Sequence, residues 1–156
     1  MTAQLWSRLL IGACLVALAV FAWRALFPTE EARIRRQLDA LVDDANDLSD
    51  GVSGLAAAAK LATFFTEDVV IDPGRGATPL RGREVILAAA GHWRPVDDGA
   101  EISLADVDVT VAPDEGSAAV TLTALRGSDA HEFALTMVKR ESAWLISHVT
   151  AISPLR

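Results

Sequence analysis

Five positions carry side chains from which proton-transfer chemistry could be built: Asp72, His92, Asp106, Asp108 and His148. Asp106 and Asp108 lie two apart in a segment of strand periodicity, so they are expected to share a face. Turned inward, two such carboxylates would share a proton, one of them with a raised pKa. Turned outward, with Ala105, Val107, Val109 and Val111 buried instead, they pay no desolvation, and this arrangement is the one expected. His148 falls in register with Trp144, Ile146, Thr150 and Ile152, a face that either lines an interior or meets solvent. Paired with Asp106 or Asp108 it would make a proton-transfer unit; a histidine hydrogen-bonded within or beside a sheet is the plainer reading. Asp72 precedes Pro73-Gly74, where an Asp commonly starts a turn, although at a cavity mouth it could serve as a base. His92 near a helix C-terminus is favourable without any function, and His131 opens a strand beside a polar turn. The histidines lack metal-ligand spacing. Cys14 is the only cysteine and lies in an apolar run, so the rest of the chain forms no internal disulfide or cysteine metal site. Gly74-Arg75-Gly76 reads as a turn and follows no nucleotide-binding pattern. No catalytic, cofactor-binding or metal residue is therefore assigned; Asp72, His148, Asp106 and Asp108 are weak catalytic candidates, and no cofactor is expected.

The elements that must position these residues are legible as periodicities. Pro28-Thr29-Glu30-Glu31 is a helix start, with Thr29 able to cap and the acids at the positive end of the dipole. Ile34, Leu38, Leu41, Val42 and Ala45 recur at helical spacing, and Asn46 to Gly51 reads as a break. A second helix is expected over 53–66, a short strand over 68–72, a turn at 73–76, a second short strand over 78–80 and a third helix over 85–93. From Glu101 the period becomes two. Strands over 102–112, 118–125, 131–140 and 144–152, separated by Pro113-Asp114-Glu115-Gly116, Gly127-Ser128-Asp129 and Glu141-Ser142, predict three successive hairpins. The class is α+β: a curved antiparallel sheet curling into a cone around three helices, preceded by one transmembrane helix.

Phe64-Phe65-Thr66-Glu67-Asp68-Val69-Val70-Ile71-Asp72, then Pro79-Leu80-Arg81-Gly82-Arg83-Glu84-Val85-Ile86, resembles the opening of polyketide cyclase-like bacterial members of the nuclear transport factor 2-like superfamily. Lys139-Arg140, a tight turn and Trp144-Leu145-Ile146-Ser147-His148 resemble its ending. The resemblance covers about residues 29–153. It implies the cone fold and leaves function open, because the superfamily includes isomerases, cyclases, dehydratases, carriers and assembly modules. Its ketosteroid isomerases place a Tyr in an oxyanion hole; this chain has no Tyr, so that pattern does not transfer.

Residues 1–27 contain no acid and only two charges, Arg8 and Arg24. Leu9, Leu10, Leu15, Val16, Leu18, Val20, Phe21 and Trp23 belong to an uncharged run. With flanks from Leu5 to Phe27 it would span about 34 Å as a helix, enough for a bilayer core of about 30 Å. Ala17-Leu18-Ala19 also has the form of a signal-peptide cleavage site, but the apolar sequence continues past it. The expectation is a membrane anchor over 1–27, contacting lipid through 5–27, and one domain over 28–156. Arg24, Arg33, Arg35 and Arg36 after the anchor argue for a cytoplasmic domain. The very short N-terminal tail argues for export, and a single-pass protein of the bacterial inner membrane with a periplasmic domain is the reading taken. All 21 acids and 12 of the 14 basic residues lie after the anchor, a net charge of −9 that excludes a nucleic-acid partner.

Over 118–125 and 132–139 neither strand face carries many charges, whereas a sheet with one solvated face alternates sharply. Both faces are therefore expected to be covered, the second by other membrane protein subunits or a second copy. The leading functional expectation is a membrane-anchored, non-catalytic assembly module. The alternative is an isomerase- or cyclase-like enzyme or carrier that uses the cone cavity for a small molecule.

Overall fold

The computed structural model describes residues 28–49, 54–92 and 101–152. The proposed anchor lies outside the described residues. Among those described, no helix is long and apolar enough to cross a membrane.

Thr29 opens the first helix as its residue type requires. Its Oγ1 accepts from the Ala32 N–H at 3.3 Å and its carbonyl from the Arg33 N–H at 3.0 Å. Helix α1, Glu30–Ser49, buries Ile34 and Leu38 completely or nearly so against the sheet. It does not break at Asn46. The Asn46 amide turns away from its own backbone and grips the start of the sheet instead. Nδ2 donates to the Ile102 carbonyl at 2.9 Å, and Oδ1 accepts from the Ile102 N–H at 2.8 Å. Helix α2, Gly54–Ala62, is pinned to α1 by an ion pair of Lys60 with the buried Asp44. It ends four residues before the expected Thr66, because strand β1, Phe65–Asp72, claims those residues. Ile146 N–H donates to the Phe64 carbonyl at 2.9 Å, and the chain enters the sheet there. Strand β2, Leu80–Arg81, and helix α3, Arg83–His92, follow.

Strands β3 (Ile102–Val111), β4 (Ser117–Arg126), β5 (Asp129–Arg140) and β6 (Ala143–Ile152) form the expected three-hairpin meander. The sheet order is β2-β1-β6-β5-β4-β3, with β1 antiparallel to β2 and parallel to β6. That parallel junction brings the two halves of the chain together, and no hairpin signal announces it. The fold is α+β, a six-stranded curved sheet with helices on its inner side. The inner face supplies Val109, Ala118, Val120, Leu122, Leu135, Met137, Trp144 and Ile146 to one core with Ile34 and Leu38.

Two bulges decide which side chains face that core. In β3 the register slips between Ala105 and Asp108, with Asp106 left-handed at φ 49°. The extra residue lets Leu104 and Val107 both pack against the core, which strict alternation forbids. In β6 the register slips between the partners of Thr136 and Met137, so Ile146 and Val149 both turn inward and His148 turns outward. The strain at Asp106 is testable. Asp106→Val puts a β-branched side chain at positive φ and is expected to cost about 1–2 kcal/mol, whereas Asp106→Gly is expected to cost nothing or to stabilise. Urea denaturation of both variants measures the difference.

Trp144, 1% exposed, ties the meander to the first turn of α1. Its Nε1 donates to Glu30 Oε2 at 2.7 Å, and its backbone carbonyl accepts from the Gln37 amide. Arg33 Nη1 and Lys139 Nζ approach Glu30 Oε1 at 2.9 and 3.1 Å. The Trp144 hydrogen bond is the main reason that the Glu30 carboxyl sits below the usual carboxylate range. Burial works against it, and Lys139 and Arg33 add to the lowering.

Candidate functional site

The sheet curves away from the helices near the ends of β3 and β4, and the gap is a cavity of about 290 Å³. Leu38, Leu41, Val42 and Ala45 line it from α1, Leu61 from α2 and Ile86 from α3. Phe65, Ile102, Leu104, Leu122, Ala124, Phe133, Leu135, Ile146 and Val149 complete the wall from the sheet. Helical spacing on α1 and alternation on β4 and β5 deliver most of them, and the two bulges turn Leu104 and Val149 inward. All of these side chains are apolar. The volume is at the lower end of the range for ligand pockets, about 300–1,000 Å³. A concave apolar surface of this kind favours an apolar guest.

None of the four candidate catalytic residues lines this cavity. Asp72 is half-buried at the end of β1, where its Oδ1 accepts from the Gly74 N–H at 2.9 Å and forms a turn. Gly74, at φ 72°, carries that turn so close to β6 that an added Cβ would stand 2.9 Å from the Ala151 carbonyl oxygen. Asp106 and Asp108 are both exposed, the outward arrangement expected, with a bulge in the strand between them. His148 is half-buried on the outer face, beside Thr136 of β5 and Val70 of β1, remote in register from both aspartates. The His148–Asp106/Asp108 unit therefore does not form. His131 is exposed, and the side chain of His92 lies outside the described residues. Among the described residues no group of acids, histidines or cysteines could hold a metal ion. A cavity rather than a polar constellation is thus what the structure brings together. Its sequence signal was the run of residues 38, 41, 42 and 45 on α1 and the inner positions of β4 and β5.

No family model matches the chain's sequence, and no curated protein matches it. Solved structures do match its architecture. A scytalone dehydratase-like protein from Novosphingobium aromaticivorans superposes with a TM-score of 0.61 at 15% identity, covering 81% of this chain and 85% of that one. An NTF2-like protein with a cystatin-like fold, also from Novosphingobium aromaticivorans, superposes at 0.59 with 17% identity, covering 86% and 88%. The fold is nuclear transport factor 2-like. A third structure, a calcium/calmodulin-dependent protein kinase II association domain-like protein, comes from Xanthomonas campestris. It superposes at 0.53 with 20% identity, covering 74% of this chain and 84% of that one. Identities this low establish the fold alone, so within the NTF2-like architecture the function must be argued from the cavity and the sheet face.

Proposed function

We propose that the domain binds a small apolar molecule between the sheet and the helices, as an isomerase- or cyclase-like protein or a carrier would. The observation that carries this reading is the cavity of about 290 Å³ with an entirely apolar wall. The likeness to a scytalone dehydratase-like protein supports a ligand-binding role. The described wall offers no side chain that could move a proton, so binding rather than turnover is what it supports. The test is calorimetric titration of the full-length chain, held in a nanodisc of zwitterionic lipid, with octan-1-ol and with empty nanodiscs as the blank. Saturable one-to-one binding is expected; heat that matches lipid partitioning alone would refute the reading.

A second reading rests on the outer sheet face and keeps the assembly role. Ala119, Thr121 and Thr136 are exposed there, beside the half-buried Ala134, Val138 and Leu145. We propose that a second copy covers it. Strands β3 to β6, about 4.8 Å apart and about 3.3 Å per residue, present roughly 600 Å² before side-chain relief is counted. That approaches the about 800 Å² per partner of a standard interface. Between Ala134 and Val138 the outer positions of β5 carry no charge, so a two-fold axis at Thr136 sets no β5 charge against its own copy. Thr136→Arg places a cation on that axis and is expected to convert a dimer to monomer in sedimentation analysis of the full chain. Equal masses for the wild type and the variant would end this reading.

A further inference from the structure

The first turns of α1 and the start of β6 border an open groove of about 490 Å³ that shares no lining residue with the apolar cavity. Phe64 and the buried Trp144 give it an apolar side, and Arg33, Arg36 and Ser142 a polar one. Pro28 belongs to its wall.

Charge singles this corner out. Residues 28–156 carry a net charge of −9, yet here three cations meet one carboxylate. Arg33 Nη1 and Lys139 Nζ approach Glu30 Oε1 at 2.9 and 3.1 Å, and Lys139 Nζ lies 5.8 Å from the centre of the Trp144 ring. Arg36 is exposed. Its Nε donates to the Ala32 carbonyl at 3.2 Å, and among the described residues no carboxylate pairs with it. Glu31 is two residues from Arg33 and so projects about 160° away round the helix. The exposed Asp39, Asp43 and Asp47 come later on α1, farther from Pro28. Arg140 and Glu141, in the turn before Ser142, are exposed and opposite in sign.

The occupant follows from where the groove sits on the chain. Pro28 is the residue after Phe27, the end of the apolar segment expected to cross a bilayer. Adjacent Cα atoms are about 3.8 Å apart. A segment held in the hydrocarbon core therefore brings the groove to the headgroup layer, which is about 5–8 Å deep. Arg33 and Arg36 stand about 5 and 9 Å along α1 from Glu30, and their long stems let the guanidiniums lean back toward the surface.

Resting on that anchor, and independently of the apolar-cavity reading, we propose that the groove seats the phosphodiester of an anionic phospholipid from the same bilayer. Arg33 and Arg36 hold the phosphate oxygens, for which the guanidinium fork is suited. Ser142 donates to the headgroup, and Phe64 and Trp144 border the glycerol end. The remainder of the domain is net negative and is repelled by the same surface, so the contact also sets which end of the domain faces the membrane.

Native mass spectrometry of the full-length chain, released from nanodiscs of equal parts phosphatidylcholine and phosphatidylglycerol, tests this. One phosphatidylglycerol is expected to stay bound, with a preference of about thirtyfold over phosphatidylcholine, each arginine near an anionic surface contributing about fivefold. Arg36→Gln is expected to cut the preference about fivefold, and Arg33→Gln combined with it to abolish the preference. Both positions are exposed, and Glu30 keeps Lys139 and Trp144, so the fold is retained. Arg75→Gln removes the same charge from the exposed turn whose Gly74 lies against Ala151, at the other end of β6, and is expected to change nothing. Equal retention of the two lipids overturns the proposal and leaves the groove to a soluble anion or an acidic protein segment. A preference that survives the double substitution belongs to Arg8 and Arg24 of the anchor and overturns it too, as does an equal loss in Arg75→Gln. A chain that does not enter the nanodiscs removes the anchor and this proposal together.

Discussion

Replacing Trp144 with alanine is expected to destabilise the domain by about 3–5 kcal/mol, the range for a fully buried Trp, seen as a lower denaturation midpoint in urea. Two losses add. The indole leaves a hole where β6 meets α1, and the Glu30 carboxylate loses the N–H that chiefly stabilises its charge. Trp144→Phe separates them: it refills most of the hole and removes only the hydrogen bond, at about 1–3 kcal/mol. The same cluster sets a pH dependence. The folded-state pKa of Glu30 lies below its ordinary value of 4.5, so the unfolded chain binds more protons and stability rises with pH across that window. The stabilisation is present above the ordinary value and is lost as pH falls through the lowered one. Glu30→Gln lacks it at every pH. The stability gap between wild type and variant is thus expected to close on acidification from about pH 6, and a gap independent of pH would refute the assignment.

Filling the cavity is expected to have the largest effect on ligand binding. Ala124 is half-buried on the inner face of β4, and its methyl group borders the cavity. Ala124→Leu adds three carbons to empty space rather than to packed atoms. It is expected to raise stability by about 0.5–2 kcal/mol while abolishing octan-1-ol binding. Ala119→Leu adds the same carbons on the exposed outer face of the same strand and is expected to leave binding intact. Thermal denaturation and calorimetry on the two variants check both parts. A more stable Ala124→Leu protein that still binds would show that the ligand sits elsewhere.

The helices and the meander were legible because their signals are local. Ile34, Leu38 and Leu41 mark one helical face, and alternation over 118–125 marks a strand, whatever else the chain does. The parallel pairing of β1 with β6 was not legible, because it joins Phe65 to Ile146 across the chain with no turn between them. The same pairing shortened α2, since Phe64 and Phe65 satisfy helical spacing and strand alternation equally well. The candidate site misled for a related reason. His148 was placed on the face of Ile146 by counting in twos, and a bulge between them breaks the count. The cavity left only a diffuse signal, a surplus of apolar positions facing one another.

If the gap between sheet and helices is the binding site, methyl NMR of the full-length chain titrated with octan-1-ol shows saturating shifts at Leu41, Leu61, Ile86, Leu122, Leu135 and Val149. The outer-face methyls of Val138 and Leu145 stay unmoved. Shifts confined to the outer face, or none that saturate, would contradict that placement.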